Sequence, residues 1–406
     1  MTNTNEIYDY LNSYFTPDDL VIMKKNYFHD YTKDDCLFQD SEYNILISKY
    51  KALLGIGKDT PYRIEVDERA GVLMGKLYKY YVTDETLLIT ATELNSYVEK
   101  DIVDNIKNKF IITYGAKEHL ANDLIDNIIR EYKKLNCKNI FIMLPSVCPC
   151  FGYTTSNVFF KQLKQVLINL NIPHLMVLDD CQGVLYDAQE DYSIFDAILM
   201  TAHNLILGFD MGILITKLKD KIGYANKQGL KRFLEKLEVL SKYKEKAKQF
   251  PKLIYSYFED ILNSDKIHLS DIPGNSYQAN FQLTNFNVPK ELKMKTQNEY
   301  AFTFNEDKAY LSWFRIRLHE CLIQKPEHVI QGLEFIKKEL KRNLRRSEMI
   351  NEVTNEPTGK SIKEYTPDEY FFYKHLVEFY NIRDEKILKQ TYQSLIRMGY
   401  LVQRTR

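Results

Sequence analysis

Two short polar clusters in the middle of the chain hold the residue types that do chemistry: Asp179-Asp180-Cys181-Gln182 and Thr201-Ala202-His203-Asn204. An acid pair beside a thiol, and a hydroxyl beside a histidine, can bind a ligand and move protons. No lysine occurs between Lys164 and Lys217, so the stretch offers no amine nucleophile. Cys148, Cys150, Cys181 and His203 could together ligate zinc. Cys-x-Cys is a poor spacing for that metal, and buried thiols usually act as small hydrophobes, so no metal is assigned.

These clusters need elements to hold them. Residues 174–178 and 197–200 are continuous apolar runs rather than alternating ones, the pattern of parallel strands covered on both faces. Each run ends in one of the clusters, and ligands of open parallel sheets sit at carboxyl ends of strands. Asp179 could also do no more than cap the turn after its strand. Further strands are expected at 109–115 and 139–144, with helices at 120–135 and 159–170 and a third strand of the central group at 211–216. Strand and helix alternate from 87 to 216, which predicts a doubly wound α/β sheet. Upstream, Tyr43, Leu46, Ile47, Tyr50 and Leu53 recur at helical spacing, and Gly55 ends that helix. Residues 1–35 read as an arm for a partner or as a loose leader. The lysine-rich segment 217–265 reads as a solvated amphipathic helix, and 280–288 as strand.

Composition bounds the rest. The chain has 406 residues, 45% hydrophobic and 27% charged, enough for a sizeable core and two structural domains. Fifty-five basic residues balance fifty-five acidic ones, so net charge points to no polyanionic partner. Six cysteines without regular spacing suggest a reducing compartment. No apolar run approaches the roughly 18–20 residues that span a bilayer, and no secretory signal is visible. The expectation is a soluble, or at most peripherally attached, intracellular protein.

The central pattern resembles the pyridoxal-phosphate (PLP) enzymes of fold type I, and within them the α-oxoamine synthase branch. The resemblance implies an α/β fold with a mostly parallel sheet, a small α+β C-terminal domain and, here, a helical tail. It places Asp179 against the pyridinium nitrogen, Cys181 against the ring and Thr201 at the phosphate. Asn204 falls where the family has its Schiff-base lysine, and an amide cannot form that bond. Leu94-Asn95 matches a branch motif in which Ser96 replaces the histidine stacked on the ring. A strand and helix carrying phosphate contacts look deleted nearby, and the run from Gly55 to Arg63 is read as a turn. Ser146 to Gly152 matches a family turn, and Pro326-Glu327-His328 a helix start, with Gln324 in place of a histidine. Arg315 and Arg317 stand where the family holds a substrate carboxylate, or form structural ion pairs.

Together these changes are similar to the non-catalytic long-chain-base subunits of serine palmitoyltransferase. That implies a heterodimer with a lysine-bearing homologue, which holds the PLP while this chain alone holds none. The alternatives are a free-standing pseudoenzyme, or a lysine-less pyridoxamine-phosphate enzyme using His203 as base. The expected organisation is an N-terminal arm and helix (1–58), a large domain (59–265), a small domain (266–342) and a linker with a winged-helix-like tail (343–406). Basic and acidic residues nearly balance in that tail, a poor footprint for nucleic acid.

Overall fold

The apolar runs become the centre of a seven-stranded sheet. The computed structural model describes residues 3–24, 41–57, 61–91, 98, 100–112, 122–147, 154–183, 191–202, 211–262, 267–269, 277–283, 300, 303–306 and 312–350. The strands are β1 (Arg63–Asp67), β2 (Thr86–Ala91), β3 (Lys109–Ile112), β4 (Asn139–Pro145), β5 (His174–Asp179), β6 (Ala197–Thr201) and β7 (Gly212–Thr216). Their order is β1-β7-β6-β5-β4-β2-β3. The run from β3 to β6 is parallel, and β7 is antiparallel to both β6 and β1, as expected for 211–216. All six residues of β2 and all five of β7 are buried, which is why these strands do not alternate in sequence.

Local chemistry sets the helix ends. Ser156 accepts from the Phe159 N–H at 3.1 Å and starts helix Asn157–Asn169. That helix and Asn122–Lys134 are each followed closely by an asparagine at positive φ, Asn171 at 53° and Asn136 at 52°. Asparagine tolerates this left-handed conformation, so it ends a helix and lets the chain turn into the next strand. Helix Asn122–Lys134 buries Ile125, Ile128 and Ile129 on one stripe.

The run ending at Arg63, read from sequence as a turn, leads into edge strand β1, and helix Ala70–Tyr81 follows. β1 is thus a strand that the sequence reading lacked, standing at the edge of the sheet. Charge hid the strand. Arg63, Glu65 and Asp67 break the apolar run, yet Glu65 is fully buried and paired.

A second sheet has the order β10-β11-β9-β8, formed by β8 (Ile267–Leu269), β9 (Gln278–Leu283), β10 (Thr303–Glu306) and β11 (Ser312–Arg317), all antiparallel. Phe281 and Phe314 stack across β9 and β11 with centroids 4.4 Å apart, and Phe258 packs edge-on to both. Helix Pro326–Ile350 continues past residue 342, where the sequence suggested a boundary.

The N-terminal segment packs on its own chain rather than standing free. Tyr10 donates to the Lys246 carbonyl at 2.8 Å, and Asp19 accepts from Lys242 and Tyr243, each at 2.8 Å. Segment 217–265 is also less solvated than its lysines suggest. Helix Lys227–Lys242 buries Leu230, Phe233 and Leu237, and even Lys236 is buried, donating to the Met23 carbonyl. Burial of one such large apolar side chain contributes roughly 1.5–3 kcal/mol. The tail after residue 350, including its expected helices, lies outside the described residues.

Candidate functional site

The carboxyl ends of β4, β5 and β6 share one edge of the sheet. Asp179 closes β5 and is level with Leu199, so Thr201 on the same face reaches two residues further, roughly 7 Å at strand rise. Thr201 pairs with Gly212, the first residue of β7. A Cβ on Gly212 would lie 2.4–2.6 Å from the backbone of Arg69 and Ala70. Glycine is required there because helix Ala70–Tyr81 begins directly on it. That helix has no side-chain cap at its start, and it lies on the face shared by Asp179 and Thr201. Tyr78 of the same helix bonds Thr90 and is near enough to Asp179 to feel its charge.

The two acids differ in provision. Asp180 is fully buried and accepts from the Ser146 hydroxyl and, at 2.8 Å, from Tyr192. Burial pushes its carboxyl up to about 7, against the pull of those two hydrogen bonds and with a push from Asp179. Asp179 is 5% exposed and receives only Cys181 as donor among the described residues, its backbone N–H at 3.0 Å. Burial raises Asp179 to about 6. The Cys181 thiol is held well above its usual range by burial and then by Asp179, so it stays protonated. Asp180 is therefore satisfied within the fold, while Asp179 keeps acceptor capacity that the described residues do not use.

A second wall comes from the other sheet. Arg315 and Arg317 alternate on one face of β11, opposite Asn280 and Gln278 of β9. All four are buried. Tyr277, just before β9, senses both arginines and Cys181, and donates its hydroxyl to Gln182 Oε1 at 3.0 Å. The structure thus joins Asp179, Cys181 and Thr201 at one sheet edge, with the Arg315–Arg317 face linked to it through Tyr277. Arg317 is in a buried ion pair with Glu320, the structural alternative for that arginine. Gln324 donates to the Tyr300 and Glu320 carbonyls at 2.9 Å, so its amide closes a turn.

Ser96, His203 and Asn204 lie outside the described residues, as do Cys148 and Cys150. Among the described residues no group of three histidine, cysteine or carboxylate side chains is set to hold a metal. None of the described helices is long and apolar enough to cross a membrane. Sequence reasoning missed Tyr192 and Tyr277; nothing local marks either among the thirty tyrosines of the chain. A cleft of about 440 Å³ lined by Tyr78, Thr83, Asp84, Asp101 and Lys107 opens at the other end of β2, away from this chemistry.

These residues suit part of a PLP site. A buried carboxylate whose donors all come from one residue, Cys181, fits a protonated ring nitrogen, and an uncapped helix start beside a threonine fits a phosphate. No lysine of the stretch from β5 to β7 completes it.

No protein-family model and no curated protein sequence matches the chain. Solved structures do. A NifS-like protein from Rickettsia africae aligns at TM-score 0.55 and 12% identity, over 82% of this chain and 99% of that one. Cystalysin from Treponema denticola, which contains PLP, aligns at 0.54 and 13%, over 83% and 95%. A serine palmitoyltransferase from S. paucimobilis with a bound PLP–myriocin aldimine aligns at 0.54 and 10%, over 82% and 87%. With the mostly parallel seven-stranded sheet, these likenesses show that the chain has the fold of the PLP-dependent fold type I enzymes.

Proposed function

We propose that this chain is a subunit of a PLP-dependent enzyme that leaves covalent chemistry to a lysine-bearing homologue. More finely, we infer a non-catalytic subunit of a serine palmitoyltransferase, acting beside that homologue in the condensation of L-serine with palmitoyl-CoA to 3-ketosphinganine. One observation carries the reading: a buried acid retained at the end of β5 in a stretch that offers no amine. Asp179 keeps the acceptor, while Asn204 takes the lysine position and no lysine occurs between Lys164 and Lys217.

PLP, where bound, supplies an electron sink for charge on the carbon beside a substrate amine. In this chain Asp179 would accept from a protonated ring nitrogen, and Thr201 with the start of helix Ala70–Tyr81 would face a phosphate. Covalent attachment belongs to the partner, so the PLP of the working enzyme resides there. Enzymes of this fold place active sites at subunit interfaces, and the Arg315–Arg317 sheet is this chain's contribution to the wall. The complex would work at the cytoplasmic face of a membrane without a span from the described helices. A free-standing pseudoenzyme is the second reading. The comparable scores to a NifS-like protein and to cystalysin are equally compatible with it, because the fold alone does not single out the acyltransferase.

The test is co-purification from the native cell, followed by co-expression with any lysine-bearing homologue recovered. The expected result is a one-to-one complex showing serine-dependent release of CoA from palmitoyl-CoA. The isolated chain should lack the visible absorbance of covalently held pyridoxal. Borohydride-dependent labelling of the isolated chain by PLP at one residue would overturn the lysine-less reading. A well-behaved monomer that binds no homologue would favour the free-standing protein.

A further inference from the structure

Gln182 ends the acidic cluster and is 5% exposed. Its Oε1 accepts from Tyr277, and its Nε2 has no partner among the described residues. That nitrogen is not among the fully buried polar atoms, so it borders open space in which a ligand can accept from it. Asp179, three residues earlier, is the other under-provided group of the same strand end. One offers a donor and the other an acceptor.

Tyr277 is held firmly enough to decide which end of the amide is left over. It is 1% exposed, and its ring lies 5.5 Å from that of His319. Its carbonyl accepts from the Leu318 N–H at 3.1 Å, fixing the corner where β9 begins and β11 has just ended. Arg315 and Arg317 lie on those two strands' shared polar face and pull the phenol down, against the larger upward push of burial. The hydroxyl remains a protonated donor, so the atom of Gln182 that satisfies it is the oxygen.

We propose that Tyr277 is a positioning residue: its phenol fixes Gln182 with the amide nitrogen as a donor toward the strand-end site. The same bond couples that site to the arginine-bearing sheet. The ligand class is a planar ring with a donor for Asp179 and an acceptor oxygen for Gln182. This rests on the reading of the strand end as a remnant PLP site, and it adds a residue from a different sheet, 95 positions away in sequence.

The probe is pyridoxine 5′-phosphate, which has the ring and its oxygen but no aldehyde to react with surface lysines. Binding to the full chain is measured by equilibrium dialysis for wild type, Tyr277→Phe, Gln182→Met and the double variant. Tyr277→Phe should weaken binding about fivefold, the scale of one oriented hydrogen bond. In the Gln182→Met background the same change should have no further effect, because the group it orients is gone. Thermal midpoints of all four separate this from general damage. Equal affinity of wild type and Tyr277→Phe, or an equal loss in both backgrounds, would overturn the positioning role and leave the site reading intact. No binding by the wild-type chain would sink both the positioning role and the remnant-site reading, and would leave the partner-held PLP of the proposed function standing.

Discussion

Two buried carboxylates, one on an edge strand and one at a central strand end, are treated in opposite ways by this molecule. Glu65 on β1 is fully buried and accepts from Arg63 Nε at 2.6 Å, from the Ile222 N–H at 2.7 Å and from the Gly223 N–H at 2.5 Å. Asp179 on β5 is nearly as buried and has Cys181 alone as donor among the described residues. The difference teaches how to read a buried acid. Where the fold supplies every partner the acid is a brace, and where it supplies one the remaining capacity belongs to something that binds.

The largest effect should follow from breaking the brace. Glu65→Ala leaves the backbone N–H groups of Ile222 and Gly223 and the Arg63 Nε–H without their acceptor, and should cost about 4 kcal/mol. Urea unfolding measures it. A loss under about 1 kcal/mol would mean that water replaces the carboxylate, and that partner number is no guide to role.

Next comes the surface that both regions share. Gly212→Ala puts a methyl group into the backbone of Arg69 and Ala70, which cannot swing aside as a side chain could. It should destabilise by about 2 kcal/mol and push the start of helix Ala70–Tyr81 off Thr201. A thermal midpoint unchanged from wild type would show that the close approach is not maintained in solution.

The comparison also explains what the sequence could and could not show. β5, β6 and β7 were legible because continuous apolar runs need both faces covered, and Asp179 and Thr201 were legible because polar clusters end two of those runs. β1 was not, because the backbone groups that let Arg63 and Glu65 be accommodated at the sheet edge lie near 218–223, which no local window contains. For the same reason Arg63 reads as the end of a turn rather than the start of a strand. Tyr192 and Tyr277 reach the site across loops and a second sheet, and periodicity carries no information over such separations. The packing of residues 4–24 on helix Lys227–Lys242 and its neighbours was equally hidden, since an aromatic-rich segment looks the same whether its partner is this chain or another.

A smaller effect sharpens the contrast through pH. Burial raises Asp180 to about 7, above its unfolded value of roughly 4. The folded state therefore holds the proton more tightly, so this stability is present below about pH 4 and is lost as pH rises through about 7. Asp180→Asn should flatten that slope, removing about 1 kcal/mol of the difference between pH 6 and 7. Chemical denaturation at the two pH values reads it directly. An unchanged slope would place the proton elsewhere and remove Asp180 from the account.

The smallest effect on stability belongs to Asp179, and that smallness is the sharpest test of the comparison. Asparagine has nearly the same shape and keeps an oxygen for the Cys181 N–H. It also removes the cost of burying a charge whose group burial has raised to about 6. For wild type, the stability tied to this carboxyl is full below about pH 4 and fades as pH rises through about 6, so at pH 7.5 nothing is left to lose. Asp179→Asn should therefore cost no stability at pH 7.5, any change being toward greater stability. The same variant should bind pyridoxine 5′-phosphate at least tenfold more weakly, because a neutral amide no longer favours a protonated ring nitrogen. Unfolding and dialysis on one preparation give both numbers. If Asp179→Asn instead loses as much stability as Glu65→Ala, then Asp179 is a second brace, and the acid at the end of β5 is no longer a mark of a site.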